Sequence, residues 1–172
     1  AIFPGVPDRG SRRTRAEMQI DTSIPRWHST GLYALAGQTL TIELPETALG
    51  DGLKVRIGAH KDQLWHKDRW NRVPRITGSW PLDQVEVTVA SAFGGLVYVE
   101  VPRGCALGEV PLTIAGAIEA PYFRLGETAN DRWRKTIRMR AAPWAELASD
   151  SVVLTVPSST IRDLDDPEAL MV

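Results

Sequence analysis

The stretch VEVTVASAFGGLVYVEV, residues 85–101, decides the fold class of this chain. On both sides of Gly94 and Gly95, every second residue is a valine, and most of the residues between the valines are polar. A period of two is typical of a strand that buries one face and exposes the other. Because paired glycines favour tight turns, the stretch predicts two strands joined by a turn.

Four further runs repeat this alternation, centred on Ile42, Val55, Leu112 and Leu154. Turn-forming residues separate the runs, and they are Gly50-Asp51-Gly52, Pro102-Arg103-Gly104 and Gly116. Many short strands divided by glycine and proline turns are typical of a β-sandwich or a β-barrel. The sequence therefore predicts an all-β domain.

Helical signals are sparse and short. Residues 62–70 are compatible with a short helix, and residues 143–149 resemble one that begins with proline. Near the end of the chain, Asp166 followed by Pro167 and Glu168 is a good helix start, with a cap, a proline at the first position and an acid in the first turn. Only four residues follow Glu168, too few for a helix that is stable alone. We therefore expect this sequence to be the leading part of a longer protein.

Composition excludes several classes of protein. The chain has 172 residues, enough for one domain, and its 43% apolar and 24% charged residues are ordinary for a soluble globular protein. The net charge of -1 argues against a dedicated nucleic-acid binder. The single cysteine, Cys105, excludes an internal disulfide and a cysteine-built zinc site. No apolar run approaches the ~20 residues of a membrane span.

No catalytic, cofactor-binding or metal-binding residue can be assigned from the sequence. The three histidines, His28, His60 and His66, lack the His-Glu-x-x-His spacing of a zinc peptidase, and no Gly-x-Ser-x-Gly elbow is present. On a loop, His60 and His66 could still meet a metal together with Asp62. The preferred interpretation is that they are polar loop residues, so we expect the chain to bind no stoichiometric zinc and to cleave no peptide bond.

Tryptophans are the candidate ligand contacts. Half of the twelve aromatic residues are tryptophan, and Trp65, Trp70 and Trp80 fall in a stretch outside the clear strands. Aromatic rings on loops of a sandwich can stack on sugars, which makes these three residues a candidate carbohydrate platform. Alternatively, they cap the core or fill a domain interface. The structural role is preferred for at least two of the three, because nothing in the sequence places them on a common face.

A basic segment spans residues 132–140, with Arg138 and Arg140 on one face if it is a strand. A solvated or salt-bridged face is the default interpretation of such a segment. The sharper alternative is a site for an anionic ligand, such as a sialylated or sulfated glycan.

Six segments of the chain resemble, in the same order, the leading region of the enhancin-like metallopeptidases, which are mucin-directed gluzincins. They are WHSTGLYA (27–34), LKVRIGAH (53–60), AFGGLVY (92–98), EAPYF with LG (119–123 and 125–126), APWAEL (142–147) and TVPS (155–158). The resemblance covers the chain from about residue 20 to its end. Each segment is weak alone, and the combination is specific.

The resemblance implies a jelly-roll-like β-sandwich with a few short helices at the front of a peptidase. In that family a following catalytic domain holds zinc through His-Glu-x-x-His and a downstream glutamate. The sequence stops before such a motif, so no catalytic residue can be carried over. We expect an irregular entry segment at 1–23, a sandwich accessory domain at 24–157, and the start of a connection to the catalytic domain at 158–172.

The resemblance thus implies a non-catalytic domain that packs on and supports the catalytic domain of a glycoprotein-directed zinc metallopeptidase. Its partners would be that domain and a glycoprotein or glycan substrate, with no nucleic acid and no membrane. A carbohydrate-binding sandwich that uses the loop tryptophans is the first alternative. A protein-interaction domain of a non-peptidase relative is the second. The compartment stays unknown, although a secreted or cell-surface parent is compatible with the sequence.

Overall fold

The computed structural model describes residues 4–7 and 10–172. Strands dominate these residues, and helices are short. The strands are β1 (Thr14–Asp21), β2 (Arg26–Ala34), β3 (Thr39–Glu43), β4 (Lys54–Ile57), β5 (Gly78–Pro81), β6 (Glu86–Ala90), β7 (Gly95–Val101), β8 (Glu109–Glu119), β9 (Tyr122–Arg124), β10 (Trp144–Ala148) and β11 (Val153–Pro157). The α-helices are α1 (Asn130–Lys135) and α2 (Pro167–Met171), with 3-10 turns at Glu46–Ala48, Ile137–Met139 and Ser158–Thr160. The expected all-β fold is confirmed.

Eight antiparallel strands form the two layers of a nearly closed sandwich. The order along the sheet is β5-β4-β7-β2-β8-β3-β6, and β1 adds to β8. Apolar side chains from both layers, such as Leu40, Val55, Val99 and Ile114, form the main core between them. The alternation in the sequence therefore corresponds to a real division between inward and outward side chains.

Strand β8 joins the two layers. Its first part pairs with β1 and β3, while Ile118 and Glu119 pair with β2 in the other layer. The change of partner follows Gly116, whose φ of 94° lies in the left-handed region that favours glycine. A Cβ on Gly116 would also lie 2.6 Å from the carbonyl oxygen of Thr39. This glycine therefore lets the strand turn the corner of the sandwich.

A three-stranded sheet in the order β11-β10-β9 forms a third layer, with β9 parallel to β10. A second core cluster lies beneath it and includes Phe123, Trp133 and Leu147. The indole N–H of Trp133 donates to the carbonyl oxygen of Leu164 at 2.7 Å, so this buried ring has its polar group satisfied.

A third cluster attaches the small sheet to the outer face of the sandwich. Tyr33, Leu96 and Tyr98 contribute to it from β2 and β7, and Ala142 comes from the segment that precedes β10. Strand β7 is consequently buried on both faces, with Val97, Val99 and Val101 in the main core. The polar and aromatic side chains of this outer face become the floor of the site described below.

Three local expectations are wrong. Residues 14–21 form strand β1 rather than part of an irregular entry segment, because Ala16, Met18 and Ile20 turn towards the core while charged side chains point outward. Residues 144–148 form strand β10 rather than a helix, because they pair with β9 and β11. Residues 62–70 form turns and bends without a helix.

Two other expectations agree with the structure. Asp166 caps α2 by accepting a hydrogen bond from the amide of Ala169 at 3.0 Å, with Pro167 at the first helical position. Gly94 lies in the connection between β6 and β7 and Gly95 begins β7, although these two strands pair with other neighbours rather than with each other. None of the helices in the described part has the length and apolar character needed to cross a membrane.

Candidate functional site

The outer face of strands β2, β7 and β4 brings chemically active side chains together. Trp27, Glu100 and Lys54 occupy neighbouring positions across these three strands. Arg56 lies two residues further along β4, and its guanidinium carbon is 4.3 Å from the centroid of the Trp27 ring. The ammonium of Lys61, from the following loop, is 5.4 Å from the same centroid. We call the surface formed by these five residues the Trp27 cleft.

Two of the charges in the Trp27 cleft neutralise each other. Arg56 donates from Nε to Oε1 of Glu100, and Ser79 donates to Oε2 at 2.8 Å. Both side chains of the ion pair are largely buried. An arginine held in this way stacks rigidly on the tryptophan. The Arg56–Glu100 ion pair therefore fixes the position of the Trp27 ring, and the opposite charges of the pair largely cancel.

Three other cations remain around the cleft. Arg26, Lys54 and Lys61 are exposed, and none of them makes an ion pair with a carboxylate in the described part of the chain. Together with Trp27, Glu100 and Pro102, they line a cavity of about 590 Å³. This cavity therefore has an excess of positive charge beside a partly exposed aromatic ring.

A second cavity, of about 460 Å³, lies between the cleft and the small sheet and is also lined by Trp27 and Lys61. Glu146 from β10 contributes to its wall, although this side chain is only 1% exposed. Its Oε1 accepts hydrogen bonds from the hydroxyls of Tyr98 at 2.7 Å and Thr155 at 3.4 Å. Burial raises the pKa of the Glu146 carboxyl, against the opposing effect of these hydrogen bonds.

His60 packs against the ring of Trp144 with the two centroids 4.2 Å apart. Burial lowers the pKa of His60, while the charge of Asp62 acts in the opposite direction. Within residues 4–7 and 10–172, no three histidine, cysteine, aspartate or glutamate side chains form a group that could hold a metal. These residues therefore do not fit a zinc site, and the expectation that the chain binds no zinc stays a prediction.

The three candidate tryptophans do not form one platform. Trp65 and Trp70 lie in the loop between β4 and β5, 67% and 47% exposed, with ring centroids 5.2 Å apart in an edge-to-face contact. Trp80 lies on β5 opposite Val55 and packs against the main core. Its ring covers Gly78 so closely that a Cβ there would collide with it. The structure thus separates an exposed pair from a core-facing third ring.

The basic segment is held by ion pairs. Arg134 pairs with Asp131, Arg138 with Asp165 at 2.6 Å, and Arg140 with Glu119 at 2.9 Å. The default interpretation of this segment, a salt-bridged face, agrees with these contacts. The segment is not a strand, since α1 and a 3-10 turn occupy it.

Sequence reasoning missed the residues of the Trp27 cleft. Lys54, Arg56 and Glu100 are visible in the sequence as the polar members of alternating runs, and this marks them as outward-facing. The missing information was that β4, β7 and β2 are neighbours, although their order along the chain is different.

Family models match nearly the whole chain. A model described as the N-terminal domain of M60-like peptidases matches residues 9–115. A second model, described as Peptidase M60, enhancin and enhancin-like, matches residues 116–172. The boundary between the two models falls inside strand β8.

The curated proteins similar to this chain are named after a channel rather than after a peptidase. TRPM8 channel-associated factor 2 from Homo sapiens is 44% identical over 145 residues, which are 84% of this chain and 16% of that protein. The TRPM8 channel-associated factor homolog from Xenopus laevis is 40% identical over 157 residues, 90% of this chain and 17% of that protein. The chain thus spans about a sixth of the length of the curated relatives it matches.

Solved structures with the same fold include peptidases. IMPa from Pseudomonas aeruginosa, solved in complex with an O-glycopeptide, has a TM-score of 0.70 at 19% identity over 92% of this chain and 19% of its own. The M60 catalytic domain of ZmpC from Clostridium perfringens, in complex with the sialyl T antigen, has a TM-score of 0.66 at 14% identity over 92% of this chain and 37% of its own. At these identities the likeness concerns the fold.

Proposed function

The chain belongs to the M60-like, enhancin-like peptidase family, and we propose that it is a non-catalytic front part of a longer protein, on which the rest of that protein packs. The family membership agrees with the resemblance drawn from the sequence. Catalytic domains of this family are associated with zinc, and a zinc site in the proposed remainder of the protein is part of the proposal. The residues of this chain would support that domain rather than take part in its chemistry.

The observation that carries this proposal is the exposed apolar edge of the small sheet. Strand β11 is an edge strand of that sheet, and Val152, Val153 and Leu154 in and beside it are 38–46% exposed. Leu170 on α2 is exposed as well, next to Met171 of the second core cluster. An unpaired edge with apolar side chains is a liability unless another element covers it.

The lengths of relatives support the identity of the covering element. The solved peptidases continue well beyond the part that this chain matches, which is 19% of IMPa and 37% of the ZmpC domain. The small sheet and α2 also lie in the segment that matches the peptidase model rather than the N-terminal one. We therefore expect the peptidase-family remainder of the protein to cover β11.

Hydrogen exchange tests the proposal directly. Backbone amides of β11 are measured in the 172-residue chain and in the full-length product of its gene. We expect slower exchange of β11 in the full-length product, because covering an edge strand protects its amides. Strand β5, at the edge of the large sheet, serves as the control and should exchange equally in both. Equal exchange of β11 in the two proteins would contradict the proposal.

The substrate class is a finer part of the proposal. Because solved relatives with this fold hold an O-glycopeptide or a glycan, a glycoprotein is the substrate we propose for the full-length protein. Cleavage of an O-glycosylated protein by the full-length product, and not by the 172-residue chain, is the expected result.

The exposed Trp65–Trp70 pair favours a second candidate function, carbohydrate binding by the chain itself. Two large apolar rings in water, in contact with each other, form a surface on which a sugar can stack. The curated relatives, whose name refers to a channel, favour a role in protein interaction instead. Binding of glycans by the isolated 172-residue chain would support carbohydrate binding over the role in protein interaction.

A further inference from the structure

We propose that the 590 Å³ cavity beside Trp27 binds an acidic sugar, which is a carbohydrate that carries a sulfate ester or a carboxylate. Arg26, Lys54 and Lys61 would hold the negative group, and Trp27 would contact the ring of the sugar. This site does not include the Trp65–Trp70 pair, and it adjoins the exposed apolar edge at β11, since Arg26 and Trp27 also line a cavity together with Val152 and Val153. The inference concerns the 172-residue chain, and it is tested on that chain alone.

The charge of the cavity selects an anion. Of the charged groups that line it, the carboxylate of Glu100 is already occupied on both oxygens, by Arg56 and Ser79. The three cations that remain have no carboxylate partner in the described ranges, 4–7 and 10–172. This contrasts with the basic segment around α1, where Arg134, Arg138 and Arg140 are paired with acids. Unpaired cations gathered in a concave surface attract and hold negative groups.

The surroundings of the charge favour a sugar over a peptide. A volume of about 590 Å³ is in the usual range for small-molecule sites. Trp27, 37% exposed and held in place by Arg56, offers a rigid apolar wall next to the cations. An extended acidic peptide would instead need a free strand edge. Strands β7 and β4 are paired on both sides, and the free edge of β2 at residues 26–29 lies on the side away from β7, Glu100 and Lys54. A compact ring with a negative group matches this combination.

The backbone conformation of Arg26 also favours a ligand site in this cavity. Its φ of 90° makes it the one non-glycine residue with positive φ in the described part of the chain. Such a conformation costs on the order of 1–3 kcal/mol, and residues that adopt it cluster at ligand sites. The strained residue lies directly before Trp27 and on the wall of the cavity.

Isothermal titration calorimetry of the 172-residue chain tests the proposal. The probes are lactose 3′-sulfate and 3′-sialyllactose, with unmodified lactose as the neutral control and inorganic sulfate as the control for a bare anion. We expect at least one of the two acidic sugars to bind at least about tenfold more tightly than lactose and than sulfate, and the stronger of the two identifies the charged group. Binding should weaken as salt rises, because the contact is electrostatic.

Substitutions then locate the site. Lys61→Gln and Arg26→Gly should each weaken binding of the acidic sugar about tenfold, the effect of losing one charge-assisted contact. Glycine accepts a positive φ, so Arg26→Gly should fold at least as well as the wild type. Lys135→Gln on α1 removes the same charge at a distance from the cavity and should not change binding.

Several results would overturn the inference. Equal binding of lactose and the acidic sugars would show that charge does not matter, and equal binding of inorganic sulfate would reduce the cavity to an anion site without a sugar. Absence of binding by both acidic sugars, or wild-type binding by Lys61→Gln and Arg26→Gly, would also reject it. Tighter binding of a hexaglutamate peptide than of either sugar would assign the cavity to a peptide. None of these outcomes affects the exchange behaviour of β11, so the two proposals fail separately.

Discussion

Glu146 shows at the level of one residue how the two sheets are held together. It is the one carboxylate that is fully buried among the residues described by the structure. Its hydrogen bond with Tyr98 joins β10 of the small sheet to β7 of the sandwich. Burial raises the pKa of Tyr98 as well, and the charge of Glu146 acts in the same direction. Removing the Glu146 carboxylate leaves the buried Tyr98 hydroxyl without its acceptor, at a cost of roughly 1–3 kcal/mol.

The raised pKa of Glu146 predicts an unusual dependence of stability on pH. When the pKa of an acid is higher in the folded state than its ordinary value of 4.5, the folded state binds the proton more tightly. The resulting stabilisation is complete below pH 4.5 and is lost as the pH rises through the folded-state pKa. Glu146→Gln keeps an acceptor for Tyr98 and carries no charge. We therefore expect its stability relative to the wild type to increase between pH 4.5 and pH 8, as measured by chemical denaturation.

A matched substitution separates this effect from the general loss of a charge. Glu17 lies on β1 with its side chain exposed, and Glu17→Gln should run parallel to the wild type over the same pH range. If the stability of wild type and Glu146→Gln changes with pH in parallel, ionisation of Glu146 does not destabilise the folded state. The prediction would then be wrong.

At the level of secondary-structure elements, the sequence identifies strands with one buried and one polar face. The runs around Ile42, Val55 and Leu112 lie in β3, β4 and β8, as expected. Strand β10 was missed because four of its five residues are buried, so it sits between two layers and has no alternation to detect. Strand β1 was missed because residues 1–23 were assigned together to an irregular entry segment, although Ala16, Met18 and Ile20 alternate with polar residues.

Strand β5 contains the one candidate tryptophan that faces the core, and this gives a stability prediction. Trp80→Ala should lower the free energy of unfolding by about 3 kcal/mol, because a large ring in contact with the main core is lost. Trp65→Ala should change it by less than about 0.5 kcal/mol, since that ring is 67% exposed. Urea denaturation of the two variants measures the difference.

The same pair of variants bears on the carbohydrate alternative. If the exposed rings bind sugar, Trp65→Ala should lose glycan binding with its fold intact, while wild-type binding in that variant would count against this function. Equal stability of Trp80→Ala and Trp65→Ala would contradict the assignment of Trp80 to the core.

The arrangement of the whole molecule explains why the fold was predictable and the Trp27 cleft was not. Fold class follows from alternation within single strands, which any short segment reveals. The cleft depends on strand pairings between residues far apart in sequence, such as Trp27 with Glu100 and Lys54 with Glu100. No local pattern contains this information. The proposed limits of the accessory domain, 24–157, stay a prediction, and β1 before residue 24 also pairs within the sandwich.

Continuity between the layers leads to a final prediction about the whole chain. The two family models meet at residues 115 and 116, within β8, so this boundary is not one between folding units. A chain that ends at residue 115 loses the pairing of Ile118 with Tyr33 and uncovers Tyr33, Leu96 and Tyr98. At roughly 1.5–3 kcal/mol for each large side chain, the loss is comparable to the ~5–15 kcal/mol that stabilises a domain.

We expect circular dichroism melting to show no cooperative transition for residues 1–115. A chain that ends at residue 165, which keeps the Leu164 carbonyl for Trp133, should still melt cooperatively. A cooperative transition in residues 1–115 would instead identify the sandwich as an independent domain.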